Sequence, residues 1–227
     1  GLSKTEDKMV SRMSAILLAV CFVGSGLPMV SAFAVGSVSM SRFAAAPRLR
    51  GGSAVNMKPT VHSISMGLGV GDSLDKGLEL FAREDGKMNT YTTEKLFGGK
   101  KSVIFAVPGA FTPTCSEKHL PSFINLNDDL KAAGVEVVAC VSVNDPFVMA
   151  EWGKAQKVDG KVMMLSDGNG KFSESIGQLV DKGGPMGMRS NRYAMVLDKD
   201  MKVELMALED GGYGKTSAEA VLEFLKK

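Results

Sequence analysis

Cysteine and histidine are scarce in this chain of 227 residues, with three of the first and two of the second. Cys21, Cys115 and Cys140 are too few for a disulfide framework, and there is no C-x-x-C pair. His62 and His119 add too few ligands for a zinc site, so neither a metal nor a cofactor is expected. A charge excess is missing too: 27 Lys and Arg face 25 Asp and Glu, a formal net charge of +2. The balance conceals an asymmetry, because residues 1–65 hold seven basic and two acidic side chains while the remainder is net −3. The body of the chain therefore lacks the basic footprint of a nucleic-acid binder. Long apolar runs are also absent. The stretch from Ala15 to Val23 falls well short of the ~20 residues of a membrane span, and Gly24, Gly26 and Pro28 break the chain directly after it.

The residues present at the front read as an address. Arg12 and the apolar run, then breakers and the small residues Ser31 and Ala32, describe a secretory signal peptide over 1–32. Residues 33–65 are rich in Ser, Ala and Gly; from Phe33 to Pro59 they carry Arg42, Arg48, Arg50 and Lys58 without an acidic residue, a transit-peptide composition. A signal peptide joined to a transit peptide beginning with Phe resembles the bipartite plastid leaders of algae with complex plastids. The resemblance implies a plastid stroma destination; the alternative is a secreted protein with a flexible tail.

Residues 66–227 alternate short apolar runs with amphipathic segments. Ser102–Val107 and Val135–Val143 are β-branched and bounded by Gly and Pro, so both are expected as buried strands. Val162–Leu165 is a shorter strand, and Tyr193–Leu197 and Met201–Leu208 flank a turn at Asp198-Lys199-Asp200. Helices are expected over Pro113–Ala133, Pro146–Lys157, Lys171–Gln178 and Ser217–Leu225. That order implies one α/β domain: a thioredoxin-like fold, with a mixed central sheet and helices on both faces.

Chemistry concentrates in Pro108-Gly109-Ala110-Phe111-Thr112-Pro113-Thr114-Cys115. Thr112 then Pro113 is a helix start, which makes Cys115 the third helical residue. Its sulfur then lies near the orphan N–H groups and positive dipole end of the helix, which favour thiolate over thiol. The competing reading is a buried cysteine that packs like a small hydrophobe. Ser116, Glu117 and Lys118 give the helix a polar opening, unlike a buried stripe. Thr112 stands where a thiol–disulfide oxidoreductase has its first cysteine, so Cys115 must attack an electrophile from outside.

The run Pro108-Gly-Ala-Phe-Thr112-Pro-Thr-Cys115, continuing through His119 to Pro121, resembles the active-site segment of the type II peroxiredoxins, the Prx5 group. The resemblance extends from about Val70 to the C-terminus. It implies a thiol-specific peroxidase that reduces hydrogen peroxide and organic hydroperoxides, with Cys115 as the peroxidatic residue. By the same resemblance Thr112 positions the peroxide, Pro108 shields the site, and Arg192 is the distant arginine, with Arg189 as its neighbouring competitor. Cys140 matches the resolving cysteine of plant-like members; a merely buried cysteine is the other possibility at that strand position. The implied reductants are glutathione with glutaredoxin, or thioredoxin, and a homodimer is implied as well, with Phe111 either at its interface or in the core. Two features depart from the family pattern or from a regular helix: no Pro comes after Val70-Gly71-Asp72, and Pro121 interrupts the helix ladder to Glu117, where a kink is expected. A peroxide sensor or relay with little turnover would use the same cysteine.

Overall fold

The structure is a computed structural model and describes residues 67–227. The signal and transit segments expected over 1–65, with Cys21 and His62, lie outside the described residues.

The chain enters through Glu79–Glu84 (β1) and Lys87–Thr92 (β2), a hairpin absent from the expected elements. Its turn residues are Asp85 and Gly86, both at positive φ (50° and 77°), the backbone that a two-residue hairpin turn demands. Thr92 caps the short helix Thr93–Phe97 (α1) by accepting from the Lys95 N–H. Ser102–Ala106 (β3), Val137–Ser142 (β4) and Met163–Ser166 (β5) come next as parallel neighbours. Pro146–Ala155 (α4) crosses between the last two, with Asp145 accepting from the N–H groups of Phe147 and Val148.

Beyond Lys171–Ser175 (α5), the segments Leu179–Asp181 (β6) and Met188–Ser190 (β7) form a separate small hairpin. Tyr193–Leu197 (β8) and Val203–Leu208 (β9) complete the main sheet antiparallel. Its order is β2-β1-β5-β4-β3-β8-β9. Ala218–Leu225 (α6) closes the fold, capped by Ser217.

The sheet has an apolar layer on each face, which is why β3 reads as an unbroken apolar run. Val103, Phe105 and Val107 enter one layer with Phe123, Trp152 and Val221; Ile104 and Ala106 enter the other with Phe97, Phe172 and Tyr193. Leu120–Asn125 (α2), Asn127–Ala132 (α3), α4 and α6 cover the first layer, and α1 and α5 cover the second.

Several boundaries differ from expectation. The helix expected over Pro113–Ala133 is three pieces: a π-helical turn at Cys115–His119, then α2, then α3 after a break at Leu126. Pro121 has no N–H to continue the ladder to Glu117. One residue earlier, the Leu120 N–H bonds the Cys115 carbonyl instead, a five-residue span. Helix α5 stops at Ser175 because Gly177 turns the chain at φ 71°. Strand β9 starts at Val203 because Met201 sits at φ 62° in the preceding turn. At Val70–Asp72 the chain forms a turn, with only an isolated bridge from Ser73 to Lys202.

Candidate active site

The active-site loop leaves β3 at Val107 and is fixed from three sides. The Ala110 N–H donates to Asn144 Oδ1 at 3.0 Å, tying it to the loop after β4. Thr112 Oγ1 donates to the Gly109 carbonyl at 2.9 Å, so the hydroxyl uses its proton within the loop and turns its lone pairs elsewhere. The Thr112 carbonyl accepts from the Ser116 N–H at 2.9 Å, as the residue before a helix should. Gly109 is needed for close approach: a Cβ there would lie 3.3 Å from Thr112 Cγ2 and 3.7 Å from Met186 Cε. Phe111 holds a left-handed backbone at φ 60°, a costly conformation for an aromatic residue, and the residue is 57% exposed.

Cys115 opens the π-turn and is 1% exposed. Arg192 Nη2 donates to its sulfur at 3.3 Å, while Arg192 Nη1 lies 2.9 Å from His119 Nδ1. His119 Nε2 lies 2.8 Å from the Thr216 carbonyl. A carbonyl can only accept and a guanidinium can only donate, so the imidazole is neutral with its proton on Nε2. Burial pushes its pKa from 6.5 down to about 4; the Thr216 hydrogen bond opposes that shift and the Arg192 charge adds to it. A relay results: Thr216 fixes His119, His119 fixes Arg192, and Arg192 meets the sulfur. Arg189 serves another purpose. Its Nε donates to the Met186 carbonyl (2.8 Å) and its Nη1 to the Val143 carbonyl (3.0 Å), pinning the β6–β7 hairpin to the loop after β4.

Trp152 is buried, and its Nε1 donates to Ser116 Oγ at 3.1 Å, joining α4 to the π-turn. Pro108, Thr114 and Arg192 share a cavity of about 210 Å³ with Lys182, Asn191 and Glu209. Cys140 lies on β4 opposite Phe105 and Met164, fully buried, in the same apolar layer as Cys115. Burial pushes its thiol pKa well above the usual range, the nearby Cys115 charge adds to that, and Arg192 partly opposes it.

Of the residues that sequence reasoning placed in one site, the structure brings Arg192 against Cys115, sets Pro108 with Arg192 in one cavity, and leaves the Thr112 hydroxyl on Gly109 at the helix start three residues before Cys115. Sequence reasoning missed the part His119 plays, because a histidine four residues after a cysteine looks like a surface residue of the next turn. The only signal was its place in the motif.

The neutral state of His119 has a consequence for stability. Its folded pKa lies below the ordinary value, so the unfolded chain binds the proton first as pH falls. Stability conferred at neutral pH is lost between pH 6.5 and 4, amounting to about 2 kcal/mol between pH 7 and 5 for a shift of this size. Denaturant titrations of wild type and His119→Leu should differ by that much in their change from pH 7 to 5. The variant should also reduce peroxide about 10-fold more slowly at pH 7, since Arg192 loses its orienting partner. Equal pH dependence in the two proteins would contradict the buried neutral imidazole.

The chain thus presents a cysteine at a helix start, faced by a held guanidinium, on a thioredoxin-like sheet. Known proteins resemble it. Residues 70–222 match the Redoxin family. The chain is 42% identical over 183 residues to the chloroplastic peroxiredoxin-2E of Arabidopsis thaliana, covering 78% of each. It is 47% identical over 164 residues to the chloroplastic peroxiredoxin-2E-2 of Oryza sativa subsp. japonica, covering 70% of this chain and 72% of that one. Among solved structures, reduced Prx3 of Vibrio vulnificus in complex with H2O2 aligns with a TM-score of 0.67 at 43% identity, over 70% of this chain and 99% of that one. The chain belongs to the type II peroxiredoxins, and it is a peroxidase that works through a cysteine thiol.

Proposed function

We propose that Cys115 is the peroxidatic nucleophile, with Thr112, Pro108 and Arg192 as its partners. The observation that carries this reading is the Arg192 Nη2–Cys115 Sγ contact of 3.3 Å, fixed from behind by His119. The sulfur, as thiolate, attacks the terminal peroxide oxygen; the S–O bond forms, the O–O bond breaks, and the leaving oxygen takes a proton to become water or an alcohol. Arg192 faces the charge as it moves from sulfur to the leaving oxygen. Thr112 Oγ1, its own proton committed to Gly109, accepts from the peroxide O–H.

The sulfenic acid is cleared by an external thiol, glutathione with glutaredoxin or thioredoxin. Cys140 is the resolving candidate within the chain, but it is fully buried, so a Cys115–Cys140 bond requires the π-turn to unwind. Mass spectrometry of peroxide-treated protein in glutathione tests the order: a mixed disulfide on Cys115 is expected. A Cys115–Cys140 disulfide as the sole product would overturn the external route. Plastid residence and a homodimer complete the reading. The first is supported by the 1–65 leader and the chloroplastic relatives, the second by exposed Phe111 beside the site. A fluorescent fusion to residues 1–65 and sedimentation of the mature protein test these points; secretion of the fusion, or a monomer, overturns the corresponding one.

A further inference from the structure

Asn144 joins the loops at the C-terminal ends of the parallel strands β3, β4 and β5. Its Oδ1 accepts two hydrogen bonds, from the Ala110 N–H in the loop after β3 (3.0 Å) and from Ser142 Oγ at the end of β4 (2.7 Å). Its backbone carbonyl accepts a third, from Ser166 Oγ at the end of β5 (2.6 Å), and that hydroxyl oxygen accepts from the Gly168 N–H (3.1 Å). Ser142 and Ser166 are fully buried, so both hydroxyls depend on these partners. The packing is close as well: a Cβ at Gly168 would lie 3.3 Å from Ser166 Oγ and 3.5 Å from the Asn144 carbonyl oxygen. Next to it, the Val143 carbonyl accepts from Arg189 Nη1 at 3.0 Å, which anchors the same loop to the β6–β7 hairpin. Asn144 is thus fixed through both its side chain and its backbone.

The segment it holds is strained. Phe111, directly after Ala110, sits at φ 60°, a backbone that a residue with a Cβ keeps only where its surroundings enforce it. After Phe111 the enforcement comes from Thr112, whose hydroxyl donates to the Gly109 carbonyl and whose carbonyl accepts from the Ser116 N–H. Before Phe111 it comes from the Asn144 bond to the Ala110 N–H. Without that bond Phe111 is free to relax to negative φ, and the Gly109–Thr112 pair turns with it.

We propose that Asn144 is a positioning residue for the peroxide step: it holds the left-handed turn at Phe111 and thereby sets the Thr112 hydroxyl that receives the peroxide. The inference rests on the roles given above to Cys115 and Thr112. The sulfur is held separately, by Arg192. Loss of Asn144 should therefore slow a reaction that needs an aligned peroxide more than one that needs only a nucleophilic sulfur.

The test compares two reactions of Cys115 in the mature protein: oxidation by hydrogen peroxide, followed by stopped flow, and alkylation by iodoacetamide, followed at the Cys115 peptide by mass spectrometry. The ratio of their rates cancels any change in the nucleophilicity of the sulfur itself. Asn144→Leu, close in size but without an acceptor, should lower that ratio by about 10-fold, the scale of a sub-ångström misplacement of a reactant. Asn144→Asp keeps the acceptor and should stay within about two-fold of wild type. Circular dichroism checks folding, and Asn144→Ala carries the same expectation if the leucine variant does not fold. A ratio unchanged in the variant that lacks the acceptor, or lowered as far in Asn144→Asp, overturns the positioning role and leaves the peroxidase reading intact. A wild type without a fast peroxide step overturns the peroxidase reading and, with it, this one.

Discussion

Replacing Cys115 with serine should leave a folded protein whose second-order rate with hydrogen peroxide falls by more than about 1,000-fold, to background. A hydroxyl at this position is a far weaker nucleophile at neutral pH, and no other described group takes over. Cys140 is the only other described cysteine; it is fully buried and its thiol is held in the protonated form by that burial. The side-chain volume barely changes, so circular dichroism should match wild type. Consumption of peroxide in the presence of a thiol donor is the measurement. A residual rate within about 10-fold of wild type would remove Cys115 from the centre of the mechanism.

Arg192→Gln should come next at about 100- to 1,000-fold loss, the usual scale for removing a charged donor from a developing oxyanion. The geometry sharpens this expectation, since one guanidinium bonds His119 through Nη1 and Cys115 through Nη2. Lysine restores the charge but cannot make both bonds from one nitrogen in a fixed plane, so Arg192→Lys should remain at least about 10-fold impaired. The control is Arg189→Gln, which loosens the β6–β7 hairpin and spares the sulfur contact. If the Arg189 variant were the more damaged of the two in its peroxide step, the assignment would have to be reversed.

The parts of this molecule legible in its sequence were those governed by local rules. Ser102–Val107 announced a doubly buried strand by its unbroken apolar run, and β3 is buried on both faces. Thr112-Pro113 announced a helix start, and the helix begins there. The β1–β2 hairpin was missed although Asp85-Gly86 is a strong turn signal, because β1 and β2 mix charged residues into a half-exposed edge and lack a clean alternation. The π-turn was beyond reach for a different reason. Pro121 shows that a hydrogen bond is lost, but whether the chain kinks or widens depends on the side chains packed against it, here Phe105 and Phe123 stacked 3.9 Å apart beside His119. The His119–Arg192 contact joins residues 73 apart, and no local pattern encodes such a pairing.

Trp152 is the only tryptophan in the chain, and its indole donates a hydrogen bond to Ser116, the residue after Cys115. The protein therefore carries one tryptophan fluorophore, hydrogen-bonded to the segment that the proposed sulfur chemistry would disturb. Excited apart from the tyrosines, this single indole should report oxidation of Cys115 as a change in emission in real time, with no dye, coupled enzyme or label.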